Sequence, residues 1–160
     1  MSERRAKVLT VSDGVADGSR DDRSGPALVA RLDAAGYRVL DHAVVSDGAG
    51  RVADALRAMV DAFSGLIVTT GGTGFAPTDL TPEGTVTVLD RQAPGLAEAM
   101  RAANPAKGPL SRAVAGTSGR CLILNTPGST AGAVECLEAV LGVLPHALAL
   151  LEGEPTTHPA

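Results

Sequence analysis

The chain has 160 residues, enough for one domain with a real core. Its net charge of −4 and its 2% aromatic content exclude a broad basic face and the stacking platforms that hold single-stranded nucleic acid. The 44% hydrophobic share must then come from aliphatic side chains, and neither a nucleic-acid nor a membrane partner is expected.

"KVLTVS" (7–12) is a short apolar run that predicts a buried strand. A polar loop, "GVADGSRDD", follows. Ser24 is placed to cap a helix through "GPALVARLDAAG", with Pro26 in its first turn and Gly36 at its end. "YRVLDHAVV" (37–45) reads as a second strand. In "RVADALRAMVDAF", Val52, Leu56, Met59, Val60 and Phe63 recur at helical spacing. "GLIVTT" (65–70) is a third strand. Strand, helix, strand, helix, strand is the pattern of a parallel sheet.

Thr81-Pro82-Glu83 predicts a helix start, with Thr81 as cap and "TVTVLD" as its continuation. "PGLAEAMRAAN" predicts another helix, and "RCLILN" (120–125) a fourth buried strand. Ser129 to Leu151 reads as helical, with a break or kink at Pro145. The expected architecture is an α/β three-layer sandwich with a mostly parallel central sheet. One domain spans 1–152, and 153–160 is expected to be a flexible C-terminal tail.

Cys121 and Cys136 fall in apolar patterns and read as buried free thiols. His42, His146 and His158 form no ligand spacing. The start of the chain lacks a long apolar run, and "AVLGVLPHALALL" is short and interrupted by Pro145. A cytoplasmic location is expected.

Ligands bind open parallel sheets at the carboxyl ends of their strands. Loops 12–14, 44–48, 69–79 and 125–130 should converge there. Gly71, Gly72 and Gly74 leave backbone N–H groups unobstructed, which suits an anion. Thr70 and Thr73 add hydroxyls. The loop is neither a dinucleotide fingerprint, since Pro77 replaces the third glycine, nor a GxxxxGK[ST] loop, since no lysine follows. Asp79 is either a helix cap or a carboxylate that shares a cation with phosphate. Asp13 and Asp47, taken alone, read as turn residues. Arg112 is either a phosphate contact or a surface cation.

Together, "TTGGTGFAPTDLTPEGT", "PGLAEAMR", "LSRAVAG" and "LILNTPGS" resemble the MoaB/Mog family of molybdenum-cofactor biosynthesis, over about residues 5 to 152. The resemblance implies a molybdopterin adenylyltransferase that uses Mg-ATP to transfer AMP to molybdopterin. It implies a homotrimer or hexamer, and a molybdenum-insertion enzyme as the downstream partner. By motif, Asp47 and Asp79 match the acidic positions tied to magnesium and catalysis. Gly71, Gly72, Thr73 and Gly74 match the nucleotide and phosphate loop. Ser12, Ser111, Asn125, Pro127, Gly128 and Ser129 match the pterin region. Many members carry Arg just before the loop aspartate, where this chain has Thr78. Arg91 and Arg112 are the candidates to supply that charge. The alternative reading is a non-catalytic pterin- or nucleotide-binding protein of the same fold. A domain of the insertion enzymes or nucleotide hydrolases fits less well, because those chains are usually much longer.

Overall fold

A computed structural model describes residues 2–155. Apolar runs and helical stripes alternate along the chain, and so do the elements. β1 (Arg5–Val11), the single turn α1 (Asp13–Ala16) and α2 (Ser24–Ala34) come first. Next are β2 (Arg38–Val45), α3 (Ala49–Val60) and β3 (Gly65–Thr70). Then come α4 (Thr81–Val86), β4 (Arg91–Gln92) and α5 (Pro94–Ala102). A 3-10 turn (Gly108–Leu110) leads to β5 (Ala115–Ser118), β6 (Cys121–Thr126), α6 (Thr130–Val140) and α7 (Leu144–Glu152).

The six strands lie in the order β2-β1-β3-β6-β5-β4. The first four are mutually parallel, and β5 runs antiparallel to its neighbours β6 and β4. Alternation along each strand splits the core between the two faces. Val8, Leu66, Val68, Leu122 and Leu124 face α2, α5, α6 and α7, through Leu28, Leu32, Met100, Leu137 and Leu144. Leu9, Val11, Ile67 and Ile123 face α3, through Val52, Leu56 and Met59. This is the expected three-layer sandwich.

Several local expectations are corrected. α4 stops at Val86 rather than continuing through "TVTVLD". Its hydroxyls bond back onto the helix, Thr85 to the Thr81 carbonyl and Thr87 to the Gly84 carbonyl, both at 2.7 Å. Thr81 is not a cap but the first helical residue. Its N–H donates to the Gly72 carbonyl at 3.0 Å, and its hydroxyl is buried without a partner among the described residues. Ser24 also lies inside its helix. Asp22 Oδ1 accepts the Gly25 N–H at 3.0 Å, while the Ser24 hydroxyl meets Thr70 Oγ1 at 2.9 Å. β4, β5 and α1 carry too few apolar residues to be read from pattern.

The long C-terminal helical run breaks at residues 141–143, where the axis turns by 65°, and Pro145 sits in the first turn of α7. No single helix is long and apolar enough to cross a membrane among the described residues. α6 and α7 together have the length and composition of a span, yet Ala133, Leu137, Val140, Leu144 and Leu148 are in the core. Gly153, in the left-handed conformation, closes α7. Most of the expected tail, residues 156–160, lies outside the described residues, as does His158.

Candidate active site

The connection from β1 leads to β2 on one side, while β3 is followed by structure on the other side. The gap between β1 and β3 is therefore a switch point, and the parallel strands open there into a cavity of about 990 Å³.

The glycine loop forms one wall. Gly71 has φ +100° and Gly72 φ +68°, both left-handed values that suit glycine. A Cβ on Gly71 would lie 2.2 Å from the Val11 carbonyl oxygen, so β1 passes too close for any side chain. The Gly71 N–H is bound by the Thr126 carbonyl at 3.1 Å. The N–H groups of Gly72, Thr73 and Gly74 meet no acceptor among the described residues, and all three residues line the cavity. Three unbonded donors in one stretch of cavity wall suit an anion.

A second edge of the cavity comes from the loop after β6. Pro127, Gly128 and Ser129 line the cavity at the start of α6. Ser129 caps the helix by accepting the Gly132 N–H at 3.1 Å, and the first turn of α6 leaves N–H groups for a ligand. Thr70 Oγ1 lies 2.8 Å from the Pro127 carbonyl oxygen, which joins this loop to the end of β3. Ser12 lines the cavity as the cap of α1, taking the Val15 N–H at 3.3 Å. Ser111 lines it from the segment after the 3-10 turn.

Two carboxylates complete the wall. Asp47 Oδ2 accepts the Asp13 N–H at 3.0 Å, which leaves Oδ1 for other partners. Burial raises the Asp47 carboxyl above its usual value. The charges of Asp13 and Asp79 add to that rise, and the Asp13 N–H opposes it. Asp79 Oδ2 accepts the Ala76 N–H at 3.0 Å. It binds inside its own loop rather than capping α4. Two carboxylates with one free oxygen each do not make a metal cage, and no cluster of three or more such ligands occurs among the described residues. They do fit a magnesium ion that arrives with phosphate oxygens as its other ligands.

Asn125 is the one expected site residue that is not brought to the cavity. It is fully buried below it. Its amide donates to Thr69 Oγ1 and Thr85 Oγ1, each at 3.0 Å, and its Oδ1 accepts the Val114 N–H at 3.2 Å. Cys136 departs in the other direction. It is half-buried and lines the cavity, where burial raises its thiol.

Sequence reasoning missed the cations. Arg20, Arg23, Arg101 and Lys107 line the cavity. The signal was present for the first two, since "SRDDR" follows the carboxyl end of β1. Arg101 and Lys107 come from α5 and the turn beyond it, which no local pattern links to the sheet edge. Of the two candidates to replace the usual loop arginine, Arg91 is exposed on β4, at the outer edge of the sheet. Arg112 spends its guanidinium on Gly74, Asp79 and Glu83.

Comparison with known proteins decides the family. A model described as a probable molybdopterin binding domain matches residues 7–146. The chain belongs to this family. A molybdopterin adenylyltransferase of Helicobacter pylori is 37% identical over 91% of this chain and 86% of its own. MoaB of Thermus thermophilus, titled a molybdopterin biosynthesis enzyme, superposes with a TM-score of 0.87 at 46% identity, covering 96% of this chain and 99% of that one. The molybdenum cofactor synthesis protein cinnamon of Drosophila melanogaster is 37% identical over 90% of this chain, which spans 25% of that longer protein. Thr78, where the resemblance implies an arginine, is exposed and does not line the cavity.

Proposed function

We propose that the protein adenylylates molybdopterin in molybdenum-cofactor biosynthesis, transferring AMP from ATP and releasing pyrophosphate. One observation carries the reading: free backbone N–H groups at Gly72, Thr73 and Gly74 share one cavity wall with Asp47 and Asp79. A nest for phosphate beside two carboxylates calls for a cation between them.

The terminal phosphate of the pterin attacks the α-phosphorus of ATP. The α–β phosphoanhydride bond breaks, and its electrons leave with pyrophosphate. The attacking phosphate is already anionic near neutral pH, so no strong general base is required. The protein's work is to hold two anions in line and to exclude water. Gly71, Gly72, Thr73 and Gly74 hold the nucleotide phosphates. Ser12, Ser111, Pro127, Gly128 and Ser129 hold the pterin and its phosphate. Magnesium, held by Asp47 and Asp79, supplies charge neutralisation when bound. Arg20, Arg23, Arg101 and Lys107 place cationic donors among the carboxylates of the lining, where they are available to anionic substrates.

The same reading includes a homotrimer, with a hexamer as the larger form, and a molybdenum-insertion enzyme that takes the adenylylated pterin. Two free cysteines fit a reducing, cytoplasmic setting.

Pyrophosphate release by purified protein and Mg-ATP, with and without fresh molybdopterin, tests the proposal. Pterin-dependent release is the expected result. Pterin binding without release would replace the enzyme with a carrier.

A further inference from the structure

We propose that Arg112 is a positioning residue that sets the width of the glycine loop, and with it the place of the Asp79 carboxylate. The loop leaves β3 after Thr70 and enters α4 at Thr81, and Gly74 and Asp79 bracket its outer part. Arg112 spans those two points. Its Nε donates to the Gly74 carbonyl at 2.7 Å, and another guanidinium nitrogen donates to the Asp79 carbonyl. The third nitrogen pairs with the Glu83 carboxylate on α4. The Arg112 N–H also holds the Thr73 carbonyl at 2.9 Å.

Four anchors therefore run from one residue to Thr73, Gly74, Asp79 and Glu83. A planar fork is needed to reach three acceptors in fixed directions, and a lysine ammonium on a flexible stem cannot reproduce it. Pairing with Glu83 cancels the charge of Arg112, so the residue gives the cavity geometry rather than potential. The loop is also tight from inside, since a Cβ on Gly74 would sit 2.9 Å from Asp79 Oδ2. Any change in the span between Gly74 and Asp79 moves that carboxylate directly. Thr78, between them, adds no charge to the cavity, and the strut needs none there.

The inference rests on the adenylyl-transfer reading for its kinetic part only. Arg112→Lys and Glu83→Gln are compared with wild type by hydrogen exchange of the 74–79 amides, by melting, and by steady-state kinetics. Arg112→Lys should retain a cooperative melt and exchange the Ala76 and Asp79 amides on the order of tenfold faster. Its kcat should fall by on the order of tenfold or more, with KM for the pterin within about threefold of wild type. Glu83→Gln, which keeps an acceptor oxygen, should show the same pattern in weaker form. If wild type releases no pyrophosphate, the adenylyl-transfer reading fails and the exchange arm alone decides this one. Wild-type exchange across 74–79 in Arg112→Lys overturns the proposal. Should Arg112→Lys fail to fold, Glu83→Gln with wild-type exchange overturns it instead.

Discussion

Asp13 and Asp47 hold each other's backbone. The Asp13 N–H donates to Asp47 Oδ2 and the Asp47 N–H donates to Asp13 Oδ1, both at 3.0 Å. Two loops that leave different strands are locked together this way, and Oδ1 of Asp47 stays uncommitted. Burial raises the Asp47 carboxyl, the Asp13 N–H holds it down, and the nearby charges of Asp13 and Asp79 push it up by less. A group held in a costly state at a ligand site is the usual trade of stability for function.

Asp47→Asn should therefore stabilise the unliganded protein near pH 7 while removing most turnover. The folded pKa of Asp47 is raised above its unfolded value, so the folded state favours the protonated form. The penalty grows as pH rises through the window from about 3.9, the unfolded value, to the raised value. Above that window it is fully present, and below about 3.9 it is absent. Melting temperatures of wild type and Asp47→Asn, taken from pH 3 to pH 8, should diverge only as pH rises. A constant difference would show that charge is not the cause.

Asp79→Asn should fold normally, because an amide oxygen can still accept the Ala76 N–H. Turnover should fall by on the order of a hundredfold if the carboxylate neutralises phosphate charge through a cation. Initial rates at saturating magnesium check this. Undiminished kcat would remove Asp79 from the chemistry.

Gly71→Ala and Gly50→Ala should move stability in opposite directions. At Gly71, the 2.2 Å approach to the Val11 carbonyl and the φ of +100° forbid a side chain. The expected loss is at least about 3 kcal/mol, or roughly 6–12 °C in Tm. Gly50 lies in α3 with nothing within 4 Å of a Cβ, and alanine there should add about 0.5–1 kcal/mol. Thermal melts of the two variants side by side make the comparison.

Asn125→Ala should act on the fold rather than on substrate. It leaves the Val114 N–H without its acceptor and two threonine hydroxyls without a donor, all below the cavity. Denaturant unfolding should show a loss of about 2–4 kcal/mol. KM for the pterin, measured well below the melting point, should stay within about threefold of wild type. A selective rise in KM would return Asn125 to the binding site.

Elements with a strong local apolar signal were legible from the residues themselves. β1, β3 and β6 follow from short apolar runs, because strands covered on both faces bury nearly every side chain, and α3 follows from its stripe at helical spacing. The glycine loop with its carboxylate was legible too, since those residues are adjacent in the chain. Tertiary structure alone decided the rest. β5, in "AGTS", has almost no apolar signal and exists because β6 offers its ladder. Asn125 sits at a strand end beside a turn, and only the packing of β3 and α4 against it turned a candidate ligand into a buried tie. Arg112 lies 33 residues after Asp79, and no local pattern shows that its fork closes the loop. Hydrogen bonds between distant segments depend on where the sheet brings the chain back, and that information is not held in any short stretch.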